Sequence, residues 1–105
     1  MNNHEALCKT LTDEANKLVA HARKEALRYQ NFRKAWMLDN IEAYRQKAFT
    51  IWTVACGLLN NGYTEDMSNV VEITSDAESD IAEIYNEMSA LAEKLKEEKV
   101  GAWDD

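Results

Sequence analysis

The stretch that decides the fold is TEDMSNVVEITSDAESDIAEIYNEMSALAEKLKEEK, residues 64–99. Apolar or small residues recur at Met67, Val70, Thr74, Ala77, Ile81, Ile84, Met88, Leu91 and Leu95. The steps alternate three and four, which puts these side chains in one stripe along a helix. Thr64 opens it, with Glu65 and Asp66 in a first turn where acids meet the positive end of the helix dipole. Lys94, Lys96 and Lys99 lie in the last turns, where cations suit the negative end, and Gly101 ends it. Val70-Val71-Glu72-Ile73-Thr74 is locally β-branched, and Ser75-Asp76-Ala77-Glu78 has the form of a capping box. Two helices meeting at Thr74-Ser75 would satisfy that signal. The unbroken stripe favours one long helix over about 65–99, with Thr74-Ser75 as the place for a kink.

Two further helices precede it. Asn2 or Asn3 can cap the first, and Thr12-Asp13-Glu14 is a second available start. Leu7, Leu11, Ala15, Leu18, Ala22, Tyr29, Phe32 and Trp36 recur at near-heptad spacing, with Glu25 or Ala26 filling the gap. This helix covers about 3–30 or 3–38. Asp39 with Glu42 three residues later forms a capping-box signal for a second helix over about 40–60. Its stripe is Ile41, Tyr44, Ala48, Ile51, Ala55 and Leu58, widened by Trp52 and Leu59. Asn60-Asn61-Gly62 supplies the left-handed conformation that a helix C-terminus uses. Gly57 inside this helix costs about 1 kcal/mol relative to alanine. A close helix crossing or an aromatic ring over the bare backbone is the expected compensation.

The totals agree with helices. The chain has 105 residues, 46% of them hydrophobic, with no proline and three glycines, so it suits one domain and has little turn chemistry for a many-stranded sheet. The reading is an all-α antiparallel bundle of three main helices over residues 1–105, with a short acidic tail, 101–105. In that tail Trp103 either packs back or is a free motif. A continuous helix over 64–99 would be ~50 Å long, whereas a compact chain of this size has a radius of gyration near 13 Å. Either the bundle is elongated or the end of the stripe pairs with a second chain; a homodimer is the expectation.

Charge is unevenly spread. Residues 1–60 carry nine Lys and Arg against six acids, and residues 61–105 carry three Lys against thirteen acids, within a net charge of −7. Overall acidity opposes bulk attraction to nucleic acid or anionic membrane. The N-terminus lacks the basic start and apolar run of a signal peptide, and no run reaches the ~20 residues of a bilayer span. Two cysteines, Cys8 and Cys56, are too few for a disulfide framework. A cytoplasmic protein is expected.

Catalytic signatures are missing. The three glycines are isolated, so no phosphate loop forms, and there is no nucleophile elbow. His4 and Cys8 can share a helix face, but they are half of a zinc site, with Cys56 a third ligand at most. No metal, cofactor or catalytic residue is expected, and the chain reads as a non-enzyme. His21 beside Glu25 has the spacing of a pH-responsive pair, against the commoner reading of a solvated surface pair.

Two charged constellations remain. Glu65, Glu72, Asp76, Asp80, Glu83 and Glu87 follow three-, four- or seven-residue steps away from the apolar stripe, with Asp66 and Glu78 beside them. No cation between Lys47 and Lys94 relieves them. The plain reading is a solvated face. The functional readings are ion pairs with the first helix or docking of a basic protein surface, even one that normally holds nucleic acid. The second constellation is residues 21–36, with Arg23, Lys24, Arg28, Tyr29, Phe32, Arg33, Lys34 and Trp36. Cations interleaved with aromatics suit phosphate contact and base stacking. The three aromatics also continue the core stripe, which predicts their burial. The resulting expectation is a small regulator, or inhibitor, of a protein partner with a basic surface. The alternative is a nucleic-acid-binding regulator using segment 21–36.

Overall fold

The computed structural model describes residues 3–63 and 66–98. Glu65 and the tail with Trp103 lie outside them. The described chain is all-helical: α1 (Asn3–Phe32), α2 (Ala35–Asn60) and α3 (Met67–Glu98). Each helix packs against both others. The bundle is elongated, 57 × 21 × 15 Å with a radius of gyration of 16.9 Å.

α3 buries the stripe that its sequence predicts. Met67, Thr74 and Ile81 are fully buried, Val70, Ala77 and Met88 nearly so, and Ile84, Leu91 and Leu95 are half-buried. The helix runs through Thr74-Ser75 without a break, so the two-helix alternative falls and Ser75 is not a cap. Thr74 satisfies its buried hydroxyl by donating to the Val70 carbonyl at 2.8 Å. One cluster joins Cys8 of α1, Ala55 of α2, and Met67 and Val70 of α3. A second joins Ala15 to Tyr29, Met37 to Ala48 and Ala77 to Met88, with Leu91 packed against it. The chain's own α1 and α2 thus pack against the stripe from Met67 to Leu91. Of the two outcomes that the length of α3 allows, the chain shows the elongated bundle.

The boundaries of α1 and α2 follow backbone geometry. α1 ends at Phe32 because Arg33 turns left-handed, with φ 54°, and its N–H donates to the Tyr29 carbonyl at 2.7 Å. That is a single-bond left-handed cap built on arginine where glycine is usual. Lys34 is extended and α2 starts at Ala35, so Asp39 is an interior residue of α2 and not its cap. Glu42, expected to reach back to Asp39, bonds Arg45 instead. At the other end of α2 the expected signal operates in full. The Tyr63 N–H reaches the Leu58 carbonyl at 3.0 Å and the Gly62 N–H reaches Leu59 at 3.3 Å, with Gly62 at φ 100°. These two bonds make a Schellman motif. Gly57 departs from expectation: a Cβ placed there meets nothing within 4 Å, so neither a close crossing nor a covering ring accounts for it.

Candidate functional site

At 100° per residue, Glu72, Asp76, Asp80, Glu83 and Glu87 fall within an arc of ~80° on α3, centred ~120° from the core stripe. All five are exposed. None makes an ion pair or hydrogen bond among the described residues. The first-helix cations do not neutralise them. Arg23 lines with Asn16, Asp76 and Asp80 a groove of about 360 Å³ between α1 and α3, yet it forms no ion pair there among the described residues. Glu83 and Glu87 turn instead toward an open depression of about 580 Å³ along α3, with Glu78, Ser79, Ala82, Asn86 and Ala90. The acidic stripe therefore divides: two acids border α1 and two border the open side.

Glu78 differs from its neighbours. Arg45 of α2 donates to it at 3.0 Å and grips both oxygens of Glu42 at 2.7 Å. The Arg45 hydrogen bonds hold the Glu42 carboxyl below its usual range, against the opposing push of burial. They also hold the guanidinium firmly protonated.

The basic-aromatic segment is divided as well. Tyr29 is buried as its place in the stripe predicts, but Phe32 is 63% exposed and Trp36 50%. The stripe expectation fails for these two because α1 ends at Phe32, Arg33 and Lys34 leave the helical conformation, and Trp36 belongs to α2. Arg28 donates to Glu25 at 2.7 Å and lies over the Trp36 ring, 5.6 Å from its centroid. Glu25 is only 4% exposed and also accepts from the Asn40 side chain, linking α1 to α2. Glu25 and Ala26 are both buried, so both fill the gap in the α1 stripe. Arg28, Phe32, Arg33, Lys34 and Trp36 gather around the α1–α2 turn. Lys24 is exposed one turn before Arg28, and Arg23 sits ~140° around α1 from it. His21 stacks on Tyr44, with ring centroids 5.7 Å apart, while Glu25 bonds Arg28 and Asn40.

At the far end His4 Nε2 lies 3.8 Å from Cys8 Sγ, and the His4 ring stacks on Tyr63. Burial, with Asp66 adding to it, pushes the Cys8 thiol up. No three His, Cys, Asp or Glu side chains converge as a metal site among the described residues. Among them, too, no helix is long and apolar enough to cross a membrane.

Sequence reasoning missed one surface. Phe49 is 46% exposed, and its ring meets Trp52 at 5.6 Å between centroids. With Ser75 and Glu78 the pair lines a groove of about 160 Å³ between α2 and α3. The available signal was that Phe49 falls outside the α2 core stripe. Trp52, read as widening that stripe, is half-buried at its edge. No family model, curated protein or solved structure significantly matches this chain.

Proposed function

We propose that this chain is a small non-enzymatic interaction protein that binds a macromolecular partner and regulates it through charged helical faces. Residues 1–105 form one domain in this reading, with its three helices antiparallel. The cluster of Cys8, Ala55 and Met67 at one end and the Gln30–Met88 contact toward the other support that arrangement. Two free thiols, Cys8 and Cys56, support a reducing, cytoplasmic setting.

The observation that carries the function is the row of five exposed acids on α3 without partners among the described residues. Like charges four residues apart destabilise a helix by about 0.2–0.5 kcal/mol a pair. A basic partner surface would relieve that repulsion. The row spans ~22 Å, about one charge per 5–6 Å, against one per ~1.7 Å of duplex DNA. Competition with nucleic acid for a basic site is thus available to it, as a sparse mimic, and inhibition is the form this would take. The test is affinity capture from the native lysate with the wild-type chain and with a D76N/D80N/E83Q/E87Q variant. Partners held by this face are lost from the variant; partners retained at full strength reject the face.

A second reading, a nucleic-acid-binding regulator, draws support from the exposure of Phe32 and Trp36 beside Arg28, Arg33 and Lys34. Aromatic faces and cations together suit single strands. A gel shift with duplex and single-stranded probes at low salt decides it; no complex with either eliminates this reading.

A further inference from the structure

We propose that the face shared by α2 and α3 docks a basic amphipathic helix of a partner protein, its apolar side on Phe49 and Trp52 and its cations on Glu83 and Glu87. This rests on the reading that α3 presents a protein-binding acidic face, and it names that partner's chemistry.

Three observations carry it. The Phe49–Trp52 groove and the open depression along α3 share Glu78, so they form one continuous surface. Short side chains line its length: Ser75 in the groove, then Ser79, Ala82, Asn86 and Ala90 at steps of three and four. A floor of small residues lets a second helix approach closely, and Ser75 to Ala90 is ~22 Å, the length of about 15 helical residues. The surface is apolar toward α2 and acidic on α3 at Glu83 and Glu87, which have no ion-pair or hydrogen-bond partner among the described residues. Glu78, between them, is already held by Arg45. Incoming cations therefore belong on Glu83 and Glu87. Aromatic anchors with a charged border are the usual make-up of helix-in-groove recognition.

Other occupants fit less well. Phosphates of nucleic acid or lipid would meet carboxylates. A second copy of this chain would offer the cationic face of α1, but the apolar side of that helix is buried in its own bundle.

The probe is a synthetic Leu/Lys peptide of about 18 residues patterned as an amphipathic helix, followed by fluorescence anisotropy with the full chain. The control is an equally charged helix with glutamine in place of leucine. F49A/W52A is expected to weaken binding of the Leu/Lys helix by about tenfold or more, and E83Q/E87Q to weaken it and flatten its salt dependence. Ser79→Trp, at an exposed position, should block binding without disturbing the thermal melt. D76N/D80N, on the α1 side, should leave affinity within about twofold. Equal binding of the leucine and glutamine helices, or full affinity in F49A/W52A and Ser79→Trp, overturns the docking groove. If E83Q/E87Q still weakens binding in that case, the acidic-face reading survives; if no acid replacement matters, both fall. No binding of the Leu/Lys helix to the wild-type chain also overturns the groove, leaving the lysate capture to judge the acidic face separately.

Discussion

Arg45 joins α2 to α3 by placing Nη1 3.0 Å from Glu78 Oε1. It does so while bound to Glu42 on its own helix, so its guanidinium is held in position before it reaches across. The three side chains are a quarter to a third exposed, which limits each contact to about 0.5–1 kcal/mol. Glu42 is held below its ordinary value of 4.5, first by the Arg45 hydrogen bonds. A lowered folded value means its contribution is fully present above the ordinary value and is lost as pH falls through the folded one. Glu42→Gln should therefore lower stability at neutral pH by about 0.5–1 kcal/mol, and match wild type in acid below both values. Urea melts across the acid range check this. A deficit that persists unchanged in acid would show that the pair does not act through charge.

Gly57→Ala should stabilise the chain. The added methyl meets open space, and the helix gains about 0.5–1 kcal/mol from the lower conformational freedom of alanine. For a chain of this size that is a rise of roughly 2–8 °C in melting temperature. A lower melting temperature would contradict open space beside Gly57.

Ile81 is fully buried in the main core. Ile81→Ala should cost about 2–5 kcal/mol, and Ile81→Val about 0.5–1.5. Denaturant unfolding measures both. Near-equal losses from the two would contradict a tightly packed site.

Glu25 is the buried acid that links α1 to α2 through Asn40. Glu25→Ala should cost about 1–3 kcal/mol, since it removes charge-assisted bonds and leaves Asn40 unmatched. Lys24→Ala next to it, on the exposed side, should stay within about 0.5 kcal/mol of wild type. Thermal melts that fail to separate the two variants would show that the link carries little.

Much of the architecture was legible because helix periodicity is local. The alternation of three and four across residues 67–95 marked out the buried face of α3, and Asn61-Gly62 marked the end of α2 through the left-handed geometry glycine permits. The start of α2 was not legible. Asp39 and Glu42 form a good capping signal, but covalent neighbours decided otherwise: Arg33 adopted the left-handed turn and α2 began four residues before Asp39. The acidic row could be read from spacing as well. Its lack of neutralisation could not, because that depends on which cations other helices bring near it.

The sequence by itself determined that three amphipathic helices would form and that one long helix would carry a row of acids, since both follow from spacing along a single helix. Only tertiary packing decided what each face meets. It left Phe32 and Trp36 exposed, gave Glu78 a partner in Arg45, and set Phe49 and Trp52 beside Ser75 of α3. The reason is physical. A stripe along one helix has no knowledge of the rotation and register of its neighbours, and those are settled when the three helices bury their apolar faces together.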